Sequence, residues 1–337
     1  MKTILALIIG LFTFFFINRP GTVVPSKDKC IDCHSSLIEN KVVHPITEDG
    51  CDLCHKSTGE KHPGKETGFK LSDPYPDLCY MCHDSKTSKE YIHTPVKEGN
   101  CADCHSPHSS NNPSMLLDDY SENACLDCHY FETEDILTVH GPVKKAQCQS
   151  CHDPHHSDNP MNLKKTQKDL CLSCHDKVIK TATRELYAIS PLLAEGNVIH
   201  GPVDNGDCTS CHLPHSGDYP FLLASEYPIE QYAEATVENF DLCFMCHDSR
   251  MLTETETENA TNFRNGTNNL HVLHISGNRG RNCNLCHNTH GAPREHLLEE
   301  TVLFGRWQMP MKLKLTETGG SCATGCHKEL KYSRVIE

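Results

Sequence analysis

The sequence predicts a mostly irregular chain with short α-helices and very little β structure. Three observations carry that expectation. Proline and glycine, 19 and 20 of 337 residues, punctuate the chain and leave room for one or two helical turns at a time. The apolar complement is thin: 37% hydrophobic residues, 11 Phe, 10 Tyr and one Trp, less than a chain of this length needs for a conventional core. A short pattern of cysteine and histidine recurs along nearly the whole length, as in repeat architectures.

In chain order, residues 1–26 read as a targeting segment. Lys2 is a short positive region, and Thr3 to Ile17 is an apolar run that suits a signal peptide and is short for a spanning helix. The segment is either cleaved or retained as an N-terminal anchor at residues 3–17, and either way the rest of the chain is exported. Thr181 to Ala194 and Glu230 to Glu238 are the best longer helix candidates. Glu254 to Asn269 is polar, of low complexity, and expected as a surface loop. Trp307 to Leu315 reads as an extended packing strap. The net charge of −14 argues against nucleic acid, which needs a basic stripe, and favours a partner with a basic patch.

All 22 cysteines fall in eleven motifs, each ending in histidine. Ten read CxxCH: Cys30/Cys33/His34, Cys51/Cys54/His55, Cys79/Cys82/His83, Cys101/Cys104/His105, Cys125/Cys128/His129, Cys148/Cys151/His152, Cys171/Cys174/His175, Cys208/Cys211/His212, Cys243/Cys246/His247 and Cys283/Cys286/His287. The eleventh, Cys322/Cys326/His327, has one more residue between its cysteines. CxxCH is the attachment signature of c-type haem. Two thiols on one turn form thioethers to the porphyrin, and the adjacent histidine ligates the iron. A zinc site would not need a histidine after every second cysteine. A thioredoxin-like site needs one CxxC near a βαβ pattern, and a disulfide framework would not repeat this spacing. The implied cofactor is haem c, eleven per chain and covalently attached. About 28 residues per haem, leader excluded, is so little polypeptide that haem must pack on haem.

One unit, H-x-P-V-x-x-G-x-C-x-x-C-H-x-P-H-S followed by a polar stretch and L-C-x-x-C-H, is used five times. It divides the chain into a lone first motif at 27–40 and di-haem units at 41–92, 93–139, 140–199, 200–270 and 271–337. The first unit has no Pro-His after His55, and the fifth is degenerate.

Thirteen histidines lie outside the motifs, and most recur at two places. His44, His93, His140, His200 and His274 precede each unit's first cysteine by seven to nine residues. His108, His155, His215 and His290 follow a motif histidine by three, with His62 displaced by four more. These ten are the expected distal iron ligands. The second class cannot serve its own unit's first haem, whose iron is already ligated from that side, so it must reach a neighbour. The eleventh ligand is left to His156, His271, His296, a methionine such as Met309 or Met311, or nothing. Bis-histidine iron has a lower potential than His/Met iron and no open position for substrate. That points to an electron-transfer protein with no catalytic residues. The other reading is a reductase or oxidase acting at one open iron.

The pattern resembles the doubled-CxxCH multihaem c-type cytochromes. The resemblance covers the chain beyond the leader and is most specific in units two to four. It implies a repeat array wrapped around a row of close-packed haems, which conducts electrons to or from redox protein partners. Some relatives are periplasmic, some sit inside outer-membrane porins, and some form surface filaments. The resemblance therefore leaves open a periplasmic or cell-surface location, and whether the partner is a membrane quinol-oxidising complex, a porin or further copies of the chain.

Overall fold

A computed structural model describes residues 27–64, 68–117, 124–130, 136–277 and 280–336, so the expected leader lies outside the described residues. Regular elements are short and set by local chemistry. In units two to four the first histidine leads into a four-residue helix with proline at its start: Thr94–Lys97, Gly141–Lys144 and Gly201–Asp204. Proline there has no N–H to lose and a φ already suited to a helix. The helix stops where the backbone turns left-handed, at Gly99 (φ 80) and Gly206 (φ 79), and in the third unit at Ala146 (φ 50).

The motif that follows lies on a single 3-10 turn, at Cys51–Leu53, Cys101–Asp103, Cys148–Ser150, Cys208–Ser210 and Cys283–Leu285. The second motifs of units one, three and four instead begin on α-helices: Asp77–Tyr80, Gln167–His175 and Asp241–Phe244. The lone first motif does the same at Lys27–His34. The helix Gln167–His175 is started by Thr166, whose hydroxyl accepts from the Asp169 amide at 3.3 Å, a side-chain N-cap.

Four two-residue antiparallel sheets link successive units. Val42–Val43 pairs with Ser109–Ser110, Tyr91–Ile92 with His156–Ser157, Thr138–Val139 with Ser216–Gly217, and Val198–Ile199 with Gly291–Ala292. In each, the strand just before one unit's first histidine meets the strand just after the histidine that lies three residues past the next unit's first motif. Pairs this short have little stability of their own.

Two stretches expected to be helical are not. Residues 181–194 hold a strand, Glu185–Leu186, paired with Ile179–Lys180, then a 3-10 turn at Ser190–Leu193. The Thr181 hydroxyl donates to the Arg184 carbonyl and closes the hairpin turn. Residues 230–238 wind around Asn282, which is 2% exposed; its amide donates to the Glu230 carbonyl and its backbone N–H to that of Gln231. The stretch 254–269 is not a plain surface loop. It forms the hairpin Arg264–Asn265/Asn268–Asn269 and buries Thr257 and Asn269.

The chain carries more β structure than expected, concentrated at its C-terminal end. Thr301–Phe304, Trp307–Thr316, Gly319–Thr324 and Leu330–Ser333 form a four-stranded antiparallel sheet. The alternation in Met311 to Thr316 is a strand pattern. It puts Cys322 opposite Leu313 and Leu330, so the widened last motif starts on a strand and not on a helical turn. Two apolar clusters lie nearby: Leu223, Tyr227, Phe240, Leu252 and Ile275, and Leu285, Val302, Met309 and Met311.

Contacts divide the described residues into two compact bodies, one drawn from those up to His83 with Cys101–Leu117, the other from Asp84–Asn100 and those beyond Leu117. Among the described residues no helix is long and apolar enough to cross a membrane.

Candidate functional site

The 3-10 turn of each first motif in units two to five is followed by a reversal that holds its histidine. The ring Nδ1 donates to a carbonyl nine residues on: His105 to Ser114 (2.9 Å), His152 to Met161 (2.8 Å), His212 to Phe221 (3.0 Å) and His287 to His296 (2.7 Å). Every accepting residue is left-handed, with φ between 54 and 59. This αL turn is a device that the sequence alone did not reveal, because Ser, Met, Phe and His share no side-chain chemistry. It fixes the tautomer and leaves Nε2 as the donor, which is how a carbonyl bonded to the far nitrogen prepares a metal-ligating histidine.

Among the described residues, nine motif histidines lie opposite a second histidine. In the first body the pairs are His34–His62 (6.0 Å between ring centroids), His44–His83 (6.0 Å) and His55–His108 (5.9 Å). In the second they are His93–His129 (5.9 Å), His140–His175 (6.3 Å), His152–His215 (6.0 Å), His200–His247 (6.0 Å), His212–His290 (6.2 Å) and His271–His287 (6.5 Å). The spacing is diagnostic. Two metal–imidazole bonds of about 2.0–2.1 Å, plus about 1 Å from each donor nitrogen to its ring centre, put the centroids roughly 6 Å apart. Each pair therefore has the separation that one iron between two Nε2 atoms requires. The cysteines beside these histidines are free of disulfides, as thioether attachment needs. The donor set fits a c-type haem.

The two classes of non-motif histidine divide the work. A unit's first histidine faces its own second motif: His44 with His83, His93 with His129, His140 with His175, His200 with His247. The histidine after Pro or Thr faces the first motif of the preceding unit: His108 with His55, His215 with His152, His290 with His212. The two donors are held side by side by a backbone hydrogen bond, from His44 N to His108 O (2.8 Å), His140 N to His215 O (2.9 Å) and His200 N to His290 O (3.2 Å). The same bond joins His93 N to His155 O at 2.9 Å.

Consecutive motifs also meet at their cysteines. The thiols of Cys30 and Cys51, Cys79 and Cys101, Cys171 and Cys208, and Cys243 and Cys283 are close neighbours, the first pair joining the lone motif to unit one and the others the last motif of one unit to the first of the next. In the holoprotein these sulfurs would be thioethers.

The cysteines are not enclosed alike, although the sequence treats all 22 as equivalent attachment points. The first cysteine of every motif is half-buried, but Cys33, Cys82, Cys104, Cys128, Cys174, Cys246 and Cys326 are exposed. These are the second cysteines of the lone motif, of all five second motifs and of the first motif of unit two. The difference has a backbone cause. After each first motif the chain folds back onto it, and the carbonyls of Cys54, Cys104, Cys151, Cys211 and Cys286 accept from the amides of Ser72, Leu117, Lys164, Ala224 and Glu299. That return leaves Cys54, Cys151, Cys211 and Cys286 half-buried, and Cys104 alone stays exposed beneath it. In the helical motifs the first thiol of Cys79, Cys171 and Cys243 is turned toward the next motif. The second, at Cys82, Cys174 and Cys246, is exposed.

Burial, and after it the facing imidazole, holds His44, His175, His200 and His215 below the ordinary histidine value and pushes His271 and His290 down to about 4. The neutral ring is the form that binds metal.

His62 faces the lone first motif. It lies between the paired strands His55–Ser57 and Phe69–Leu71, in a unit that has no Pro-His after its first motif. His156 sits in an inter-unit sheet opposite Ile92, and His296 lends its carbonyl to His287. His271, left among the spare candidates by the sequence, faces His287, while His274 packs on Phe263 with ring centres 5.5 Å apart. Met309 is 2% exposed, with its sulfur 3.4 Å from that of Cys326.

A family model described as the doubled CXXCH motif matches residues 44–88, 93–132, 140–180 and 200–252, one match in each of the first four units. No curated protein matches the chain.

Proposed function

Because the chain belongs to the doubled CXXCH motif family, whose paired motifs mark a multihaem c-type cytochrome, we propose that it conducts electrons outside the cytoplasm along eleven covalently bound haems. The observation that carries this reading is the set of nine histidine pairs at 5.9–6.5 Å. Bound haem supplies one-electron Fe(III)/Fe(II) chemistry. The chain's own residues decide how that chemistry is used. The cysteine pairs would hold each ring, and the paired histidines would ligate its iron and keep its potential below that of a His/Met site. The backbone bonds between neighbouring ligands and the thiol contacts between consecutive motifs support a spatial order that follows chain order within each body.

The extracytoplasmic location is supported by the haem c chemistry and the apolar segment Thr3 to Ile17. The acidic balance of −14 favours redox proteins with basic docking faces as donors and acceptors.

Protein-film voltammetry separates this reading from the reductase or oxidase. A carrier gives reversible, non-catalytic waves that nitrite, hydroxylamine and tetrathionate leave unchanged. A catalytic current with any of the three would replace the carrier by an enzyme.

A further inference from the structure

We propose that the short helix Leu270–Ile275 closes the array, His271 serving the haem at Cys283, Cys286 and His287, and His274, one turn on, serving the haem at Cys322, Cys326 and His327. The proposal rests on reading the motifs as haem sites.

Units one, three and four each depend on the unit that follows. Their first-motif histidines, His55, His152 and His212, face His108, His215 and His290 from the next repeat. Those histidines arrive on the two-residue sheets, beside the ligand of the unit's own second motif. At the fifth unit the pattern changes. The position opposite His287 is filled from inside the same unit, by His271, at 6.5 Å and 24° between ring planes.

The helix is built for this task. Asn269, 3% exposed, caps it by accepting from the His271 amide at 2.9 Å, while its own amide donates to the carbonyls of Met251 and Glu254. The His271 Nδ1 is engaged by the Thr261 hydroxyl at 2.9 Å, and the His274 Nδ1 donates to the Leu270 carbonyl at 2.7 Å. Nε2 is thus the available donor on both rings. Residues three apart share a helix face, so one turn sets two ligands side by side. Elsewhere that juxtaposition takes a backbone hydrogen bond between two repeats.

His274 is assigned by two observations. In the four earlier units the histidine at its position faces the second motif of the same unit, which in the fifth is His327. The flanking hairpin is also tied to the strand Leu330–Ser333, just past His327. Gly266 N donates to Ser333 O at 2.7 Å, Ser333 N to the Asn265 side chain at 3.0 Å, and Phe263 contacts both His274 and Tyr332. His296 is set aside because it occupies the αL turn that anchors His287, the place of Ser114, Met161 and Phe221 in other units. With both ligands supplied in cis, the last two irons need none from another chain.

The test uses ferric holoprotein, with haem number from denaturing mass spectrometry and spin state from quantitative electron paramagnetic resonance. H271A and H274A are each expected to keep every haem and to turn one iron high-spin, while H296A stays as wild type. The signal of H271A should vanish when Cys283 and Cys286 are also replaced by Ser, and that of H274A when Cys322 and Cys326 are. A high-spin iron in H296A, or its absence from H271A or H274A, overturns the assignment while a low-spin wild type leaves the carrier reading intact. A high-spin wild type would instead strike at that reading. Should H271A fail to accumulate, H271M keeps a ligand. One haem should then move to higher potential, as Met/His ligation does, and an unchanged titration would overturn the assignment of His271.

Discussion

Replacing His215 by Ala should open an iron in the preceding unit, not in its own. His215 lies three residues after His212, yet its ring faces His152 at 6.0 Å. In H215A the iron held by Cys148, Cys151 and His152 loses its sixth ligand, so one iron in eleven, about 9%, should turn high-spin while every thioether stays intact. Stability should fall as well, because the ligand bond is a cross-link. Ser216 already pairs with Val139, so the bond closes only the stretch from there to His152. A loop of roughly fourteen residues corresponds to about 3 kcal/mol in the chain-entropy model, a ceiling on the loss. The assays are spin quantitation and urea unfolding of the ferric protein, with and without added imidazole, which should refill the position and abolish the high-spin signal. Replacing Cys148 and Cys151 by Ser in H215A should remove that signal, while replacing Cys208 and Cys211 should leave it. The opposite pattern would refute the claim that each unit completes the one before it.

Ala146 holds φ 50 where the second and fourth units have Gly99 and Gly206. A146G relieves an αL penalty of about 1–2 kcal/mol against a glycine entropy cost of about 0.5–1 kcal/mol, so it should raise the unfolding free energy by up to about 1.5 kcal/mol, read as a higher urea midpoint. A lower midpoint would count against this conformation. Denaturing mass spectrometry of the holoprotein should give the mass of eleven haems, and C322S/C326S should give ten; ten in the wild type would mean that the strand-borne last motif is not loaded. Chain produced without haem attachment should show no cooperative unfolding transition and rapid proteolysis, because few apolar side chains are buried to offset chain entropy. A sharp transition in the apoprotein would contradict this.

Much of the site was legible because its chemistry is covalent and local. The motifs, the five-fold unit and the two classes of histidine follow from spacing alone. So does the reason His108 is not expected to serve its own unit: a ring ligated by His105 would block the path. What could not be read depends on backbone geometry or on departures from the repeat. The αL turn at Ser114, Met161, Phe221 and His296 repeats in shape and in no side chain. The unequal enclosure of the cysteines, Cys82 exposed and Cys54 half-buried in one unit, is set by where the chain folds back, which identical motifs do not encode. His62 and His271 are local replacements in the first and last units of the sequence, so their partners cannot be inferred from the regular units. The missed helices at 181–194 and 230–238 were overridden by a hairpin turn and by the buried amide of Asn282. The C-terminal sheet was half visible: the extended reading of Trp307 to Leu315 matches the strand Trp307–Thr316, but nothing marked the strand that carries Cys322.

Quantitative electron paramagnetic resonance of the fully oxidised wild-type holoprotein tests the central claim most directly. If two histidines saturate every iron, all eleven are low-spin and the high-spin ferric signal is absent. A high-spin signal worth one iron or more would mean an open coordination position and would contradict a chain of bis-histidine electron carriers.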